Sequence, residues 1–171
     1  MKLAFLFPGQ GAQYVGMGKD LYDFYPEVRK LYKTAEELLQ VNIADITFYQ
    51  EEKLKETKNT QIAILLMSLA ITTILQKNGI VADYSAGLSL GEYTALISSG
   101  AIALEEGITI VRKRGIAMQE RIPQKKFAMA AVIGLEDEMV EEVCKQIQIQ
   151  EQEFVVPANF NCPRSGGDFR I

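Results

Sequence analysis

The pentapeptide Gly87-Leu88-Ser89-Leu90-Gly91 constrains this chain more than any other stretch. An apolar run, Ile80 to Ala86, precedes it and the helix-forming segment Glu92 to Ser98 follows. A G-x-S-x-G pattern between a strand and a helix calls for a sharp turn with the serine at its apex. Side chains two positions before and after that serine would collide with neighbouring backbone, and glycine at both places removes the collisions. The turn lifts the hydroxyl clear of the sheet. It also points a helix N-terminus at the site, where backbone N–H groups can meet developing negative charge. Ser89 is therefore a candidate nucleophile; the plainer alternative is a strand–turn–helix connection with a capping serine.

The remaining pattern alternates strands and helices. Lys2 to Phe7 reads as a buried strand stopped by Pro8-Gly9. Pro26 suits a first helical turn, with Val28, Leu31, Tyr32, Ala35, Leu38 and Leu39 on one face. Ile43 to Phe48 predicts a short helical turn, and Glu51 to Asn59 a polar connection. Thr60 is the expected N-cap of a helix carrying Ile62, Leu65, Leu66, Leu69 and Ile74, with Gly79 just past its end. Ile80 to Ala86 predicts a second buried strand, weakened by Asp83. A long helix is expected from Leu104 to Ile122. Beyond it, a strand over Phe127 to Ile133, a turn at Gly134, a helix over Glu136 to Ile147 and a strand over Phe154 to Phe160 predict a second, smaller unit. That helix should turn Met139, Val140, Val143 and Ile147 inward. Pro163 to Ile171 has the pattern of neither a strand nor a helix.

Composition narrows the chemistry. A net charge of −4 argues against a nucleic-acid partner, which would call for a basic surface. Ile62 to Leu75 is apolar, yet Ser68, Thr72 and Thr73 interrupt it short of a membrane span. Cys144 and Cys162 make neither a disulfide framework nor a metal cluster, so no metal is expected and a cytoplasmic location is the default. The chain contains no histidine, so an imidazole base must come from elsewhere.

The loop after the first strand, Gly9-Gln10-Gly11-Ala12-Gln13, invites a dinucleotide reading. Gly9 and Gly11 fit that fingerprint, but its sixth position is Tyr14, and Gly16 comes two residues too late. No Lys-Ser/Thr pair closes the loop, so a phosphate-binding loop fails too. An oxyanion loop fits better: the Gln10 N–H, flanked by glycines, and the Leu90 N–H would make a two-donor hole. The alternative is a tight turn that merely ends a strand.

Several stretches together resemble the malonyl-CoA:acyl carrier protein transacylases. They are Phe5 to Gln13, Thr60-Gln61, Ala86 to Tyr93, Arg112-Lys113-Arg114-Gly115 with Met118-Gln119, Met129 to Leu135, and Asn159 to Pro163. The match is collinear from Leu3 to Pro163. It implies an α/β fold, in which 1–126 is the N-terminal part of a large α/β-hydrolase-like acyltransferase subdomain. Residues 127–162 would begin a small ferredoxin-like subdomain, and 163–171 would be a divergent tail. The resemblance also implies that Ser89 accepts a malonyl group from malonyl-CoA and passes it to the phosphopantetheine thiol of acyl carrier protein, in fatty-acid synthesis. Gln10 and Leu90 would form the oxyanion hole, Arg114 would pair with the malonyl carboxylate, and Gln61 would line the acyl pocket. No bound cofactor is implied. Apart from the family match, Arg114 reads better as one of the solvated basic run Arg112-Lys113-Arg114.

Three departures stand beside the resemblance. Leu88 occupies the place where most of the family has histidine. The family's base is a histidine of the second half, so the chain is expected to be a truncated copy with little activity of its own. Family members continue after the Asn-x-Asn-Cys/Ser-Pro motif with a strand like Gly-Gln-Val-Val-Ile-Ser-Gly. One permitted codon choice for residues 164–171, read one base later, encodes that strand. A one-base frameshift near Pro163 is thus expected, and resequencing the locus checks it. Competing expectations are a non-catalytic remnant or binding module, and a discrete acyltransferase serving a polyketide synthase.

Overall fold

The computed structural model describes residues 2–121, 129–152, 154–160 and 168–170. It divides into two compact units, Met1–Arg121 and Ile122–Ile171.

In the first unit, strand β1 (Ala4–Phe7) leads through the glycine loop to α1 (Lys19–Phe24), α2 (Pro26–Leu39), α3 (Ile43–Tyr49), α4 (Glu51–Leu54) and α5 (Thr57–Lys77). Strand β2 (Tyr84–Gly87) follows, then α6 (Leu90–Ser98) and α7 (Leu104–Arg121). The core is helical. Ile62, Leu65 and Leu66 of α5 and Ile108 and Val111 of α7 are wholly buried, as are Val28 and Ala35 of α2. Burying each large aliphatic side chain there contributes about 1.5–3 kcal/mol. Tyr32 joins Tyr22 and Phe48 in an aromatic cluster with ring centroids 5.2–5.5 Å apart. Its buried hydroxyl is pushed above the usual phenol range by desolvation. Helix α5 is long and apolar enough to cross a membrane by composition, but most of it lies inside this core.

Several sequence expectations are corrected. The segment Glu51 to Asn59 is not a plain connection, because it contains α4 and the first turn of α5. Thr60 is not the N-cap of α5. That place falls to Glu56, while the buried Thr60 hydroxyl donates to the Leu54 carbonyl. Leu38 lies 43% exposed, off the buried face of α2. Gly79 does stand just past α5, at φ 78°.

Strands β1 and β2 pair in parallel, from Ala4 opposite Tyr84 to Phe7 opposite Gly87. Both were expected to be buried, yet Leu6 is 76% exposed and Tyr84 63%. The alternating pattern tells only which side chains share a face, and whether a face is covered depends on other elements. The strand expected over Ile80 to Ala86 begins only at Tyr84, just past Asp83. The Asp83 carboxylate accepts from the Leu3 N–H and from Lys2 Nζ, both at 2.8 Å, and so ties the starts of the two strands together.

In the second unit, β3 (Met129–Ala131), α8 (Asp137–Glu151), β4 (Val156–Asn159) and β5 (Asp168–Arg170) form a three-stranded sheet of order β3-β5-β4 with one helix. Strand β5 runs antiparallel to both neighbours. The tail was expected to be irregular; residues 168–170 instead fill the central slot. Two strands flanking a third stand about 10 Å apart, and their inner edges demand backbone partners whatever the side chains are. On α8, the buried face is Val140 and Cys144, with Ile147 partly covered. Met139 and Val143, expected inward, are 55% and 44% exposed. Ile122 and residues 127–128, at the edges of expected elements, lie outside the described residues, as does Cys162.

Candidate active site

Ser89 stands between the end of β2 and the first turn of α6, at φ 53°, ψ −101°. That conformation is strained for a residue with a Cβ. The glycines around it explain why the chain adopts the turn. A Cβ on Gly87 would overlap the Gly91 carbonyl group, and a Cβ on Gly91 would overlap the Phe7 carbonyl oxygen. A Cβ on Gly9 would stand 3.0 Å from the Leu88 oxygen. The end of β1, its loop and the turn at Ser89 therefore pack backbone to backbone. The turn closes with the Gly91 N–H donating to the Leu88 carbonyl at 2.9 Å. Ser89 itself is exposed.

Arg114, from α7, reaches this turn. Its Nη2 donates to Ser89 Oγ at 2.9 Å, and its guanidinium lies 5.7 Å from the centroid of the Tyr93 ring. One helical turn further along α7, the Met118 sulfur accepts from Gln61 Nε2 at 3.1 Å. The same Nε2 lies 3.4 Å from Gln10 Oε1. Gln61 is fully buried, and its Oε1 has no partner among the described residues. Leu90 is the first residue of α6, so the helix itself cannot satisfy its N–H. Among the described residues, no hydrogen bond from the Gln10 or Leu90 N–H is found.

The residues expected to form a site thus fall into two groups. Ser89 meets Arg114, and Gln61 meets Gln10. Helix α7 spans both groups through Arg114 and Met118. Tyr93 and Met118 lie within the matching motifs, yet the sequence alone assigns them no role. The signal was present in their spacing, since Tyr93 is four residues from Ser89 on α6 and Met118 four from Arg114 on α7.

A profile of the acyl transferase domain matches residues 4–166. The chain belongs to the acyl transferase domain family. Within it, the malonyl CoA-acyl carrier protein transacylase of Bacillus subtilis (strain 168) is 41% identical over 163 residues, covering 95% of this chain and 51% of the relative. The crystal structure of the Clostridium perfringens malonyl CoA-acyl carrier protein transacylase superposes with a TM-score of 0.89 at 41% identity, over 99% of this chain and 53% of that one. A malonyl-transacylase in complex with a type II polyketide synthase acyl-carrier protein superposes equally well, at 0.89 and 35% identity, over 99% and 55%. The mixed helix-and-sheet architecture of this chain is thus that of an acyltransferase. The chain spans about half the length of the curated relatives it matches.

Proposed function

We propose that this chain carries the acyl-accepting serine of a malonyl-CoA:acyl carrier protein transacylase of fatty-acid synthesis. The observation that carries the reading is the 2.9 Å hydrogen bond between Arg114 and a strained, exposed Ser89. An arginine fork beside a nucleophile suits an acyl group that bears its own carboxylate. Its planar donors match that carboxylate in a way a lysine ammonium would not.

In the proposed reaction, Ser89 Oγ attacks the thioester carbonyl of malonyl-CoA. The Gln10 and Leu90 N–H groups receive the oxyanion, the C–S bond breaks, and the CoA thiol leaves with a proton. The phosphopantetheine thiol of the carrier protein then attacks the serine ester and restores the hydroxyl. Gln61 lines the acyl pocket, and Arg114 holds the malonyl carboxylate through both steps. Malonyl-CoA enters as substrate, and no resident cofactor is needed. The proton of Ser89 has no imidazole to go to in this chain. General-base assistance is worth roughly 10²–10⁴ in rate, so acylation by this chain alone is expected to be slow.

The subdomain reading belongs to the same proposal: 1–126 as the start of an α/β-hydrolase-like part, 127–162 as the start of a ferredoxin-like part, and 163–171 as a divergent tail. The split between residues 121 and 122 supports the boundary between the first two parts, and a helix joining two strands of one sheet supports the second; the tail diverges in sequence only, since its Asp168–Arg170 is the middle strand of that sheet. A cytoplasmic location belongs to the same reading. A polyketide-serving role is the second reading, favoured by the likeness to the transacylase seen with a polyketide synthase carrier protein.

Incubation with malonyl-CoA followed by intact mass tests the proposal. A malonyl ester is expected on Ser89, absent in Ser89→Ala and formed faster when imidazole is added. A folded chain with no adduct even in imidazole would leave a non-catalytic role.

A further inference from the structure

Helix α7 touches the site with one face and grips the first turn of α5 with another. On the gripping face stand Arg112, Gly115 and Gln119, spaced three and four residues apart and so aligned along the helix. Arg112 Nη1 donates to the Lys58 carbonyl at 2.9 Å and to Asn59 Oδ1 at 2.8 Å. Gln119 Oε1 accepts from the Lys58 N–H at 3.2 Å. Between them, a Cβ on Gly115 would stand 2.7 Å from Lys58 Cα and 3.3 Å from the Thr57 carbonyl oxygen. The helices therefore cross at bare backbone.

The α5 side of this latch is itself pinned. Asn59 is buried, and its Nδ2 donates to the Lys53 carbonyl at 2.9 Å. At the start of α5 the positive end of the helix dipole opposes the Arg112 charge while the Glu56 carboxylate at the N-cap favours it. What Arg112 supplies is directional hydrogen bonding across the crossing.

We propose that Arg112, Gly115 and Gln119 are positioning residues: they fix the rotation and height of α7 on α5, and so hold Arg114 within reach of Ser89. This rests on the reading of Arg114 as the carboxylate partner. A methyl group at position 115 would have to push α7 away by about 1 Å to regain ordinary carbon–carbon separation. A hydrogen bond of 2.9 Å does not survive such a shift without rearrangement.

The test measures calorimetric affinities for malonyl-CoA and acetyl-CoA, together with crystal structures of the variants. Wild-type chain is expected to prefer malonyl-CoA, and Arg114→Ala to lose that preference. Gly115→Ala and Arg112→Met should lower the preference about tenfold, as loss of one well-aimed charged contact does, while acetyl-CoA affinity stays unchanged. In the Gly115→Ala structure, Arg114 should no longer bond Ser89. A merely structural role would weaken both ligands together. If Gly115→Ala does not fold, Gln119→Leu and Arg112→Lys make the same measurement with milder changes, and Arg112→Lys should retain part of the preference that Arg112→Met loses. A folded Gly115→Ala or Arg112→Met variant with wild-type preference and an intact Arg114–Ser89 bond overturns the positioning claim. A wild-type chain without preference, or one whose preference survives Arg114→Ala, overturns the carboxylate reading instead; the Arg114–Ser89 distance in the Gly115→Ala structure then decides positioning alone.

Discussion

The helical core and the two-stranded sheet of the first unit meet at Ser89, and they are covered in opposite ways. Ile62, Leu65, Leu66 and Ile108 have no exposed surface at all, whereas Leu6 and Tyr84 are 76% and 63% exposed. An apolar groove of about 320 Å³ runs beside β1, lined by Phe5, Phe7, Met67, Ile71 and Leu75. It lies along the open sheet rather than at Ser89. A parallel pair of strands is ordinarily buried on both faces, and two strands have little stability of their own. The helical layer therefore holds Arg114 from a buried core, while Ser89 follows a strand whose own cover is partial.

The comparison breaks most readily in the core. Leu66→Ala should cost about 2–5 kcal/mol in urea unfolding, because a buried leucine leaves a cavity. Leu6→Ala should change stability by less than about 0.5 kcal/mol. Equal losses would mean that the sheet face is covered in solution. Replacing Leu6 by lysine should instead raise the concentration at which light scattering first reports association, since exposed apolar edges drive it.

The elbow comes next. Ser89→Gly should be more stable than Ser89→Ala by about 1 kcal/mol, because both remove the hydroxyl and only glycine relieves the positive φ. Identical melting curves would show that the turn relaxes in solution. The smallest effect lies at the strand starts. The Lys2 ammonium and then the Leu3 N–H hold the Asp83 carboxyl below its ordinary range. A depressed folded-state value stabilises above the unfolded-state value and is lost as pH falls through the folded one. Asp83→Asn should therefore destabilise slightly at neutral pH and flatten the acid-side loss below about pH 4, read from melting temperature against pH.

How much of this was legible in the sequence follows from the range of the interactions involved. Gly87, Gly91 and Gly79 announced their turns because each answers a local steric demand. The α5 core showed in apolar spacing. Thr60 misled because a threonine before an apolar run looks like a cap whether or not its hydroxyl is needed elsewhere, and here the Leu54 carbonyl takes it. Strand β5 was invisible because its pairing with β3 and β4 supplies the order that Asp168–Arg170 lacks locally. The bond between Ser89 and Arg114 spans 25 residues, and only the family resemblance pointed to it.

The most direct measurement of the central claim is a competition between malonyl-CoA and acetyl-CoA for Ser89, with imidazole supplied and the acyl adducts read by intact mass and peptide mapping. The expected result is a malonyl ester on Ser89 in excess over acetyl, with the excess gone in Arg114→Ala and both adducts gone in Ser89→Ala. Acylation that survives Ser89→Ala, or a malonyl preference indifferent to Arg114, would contradict it.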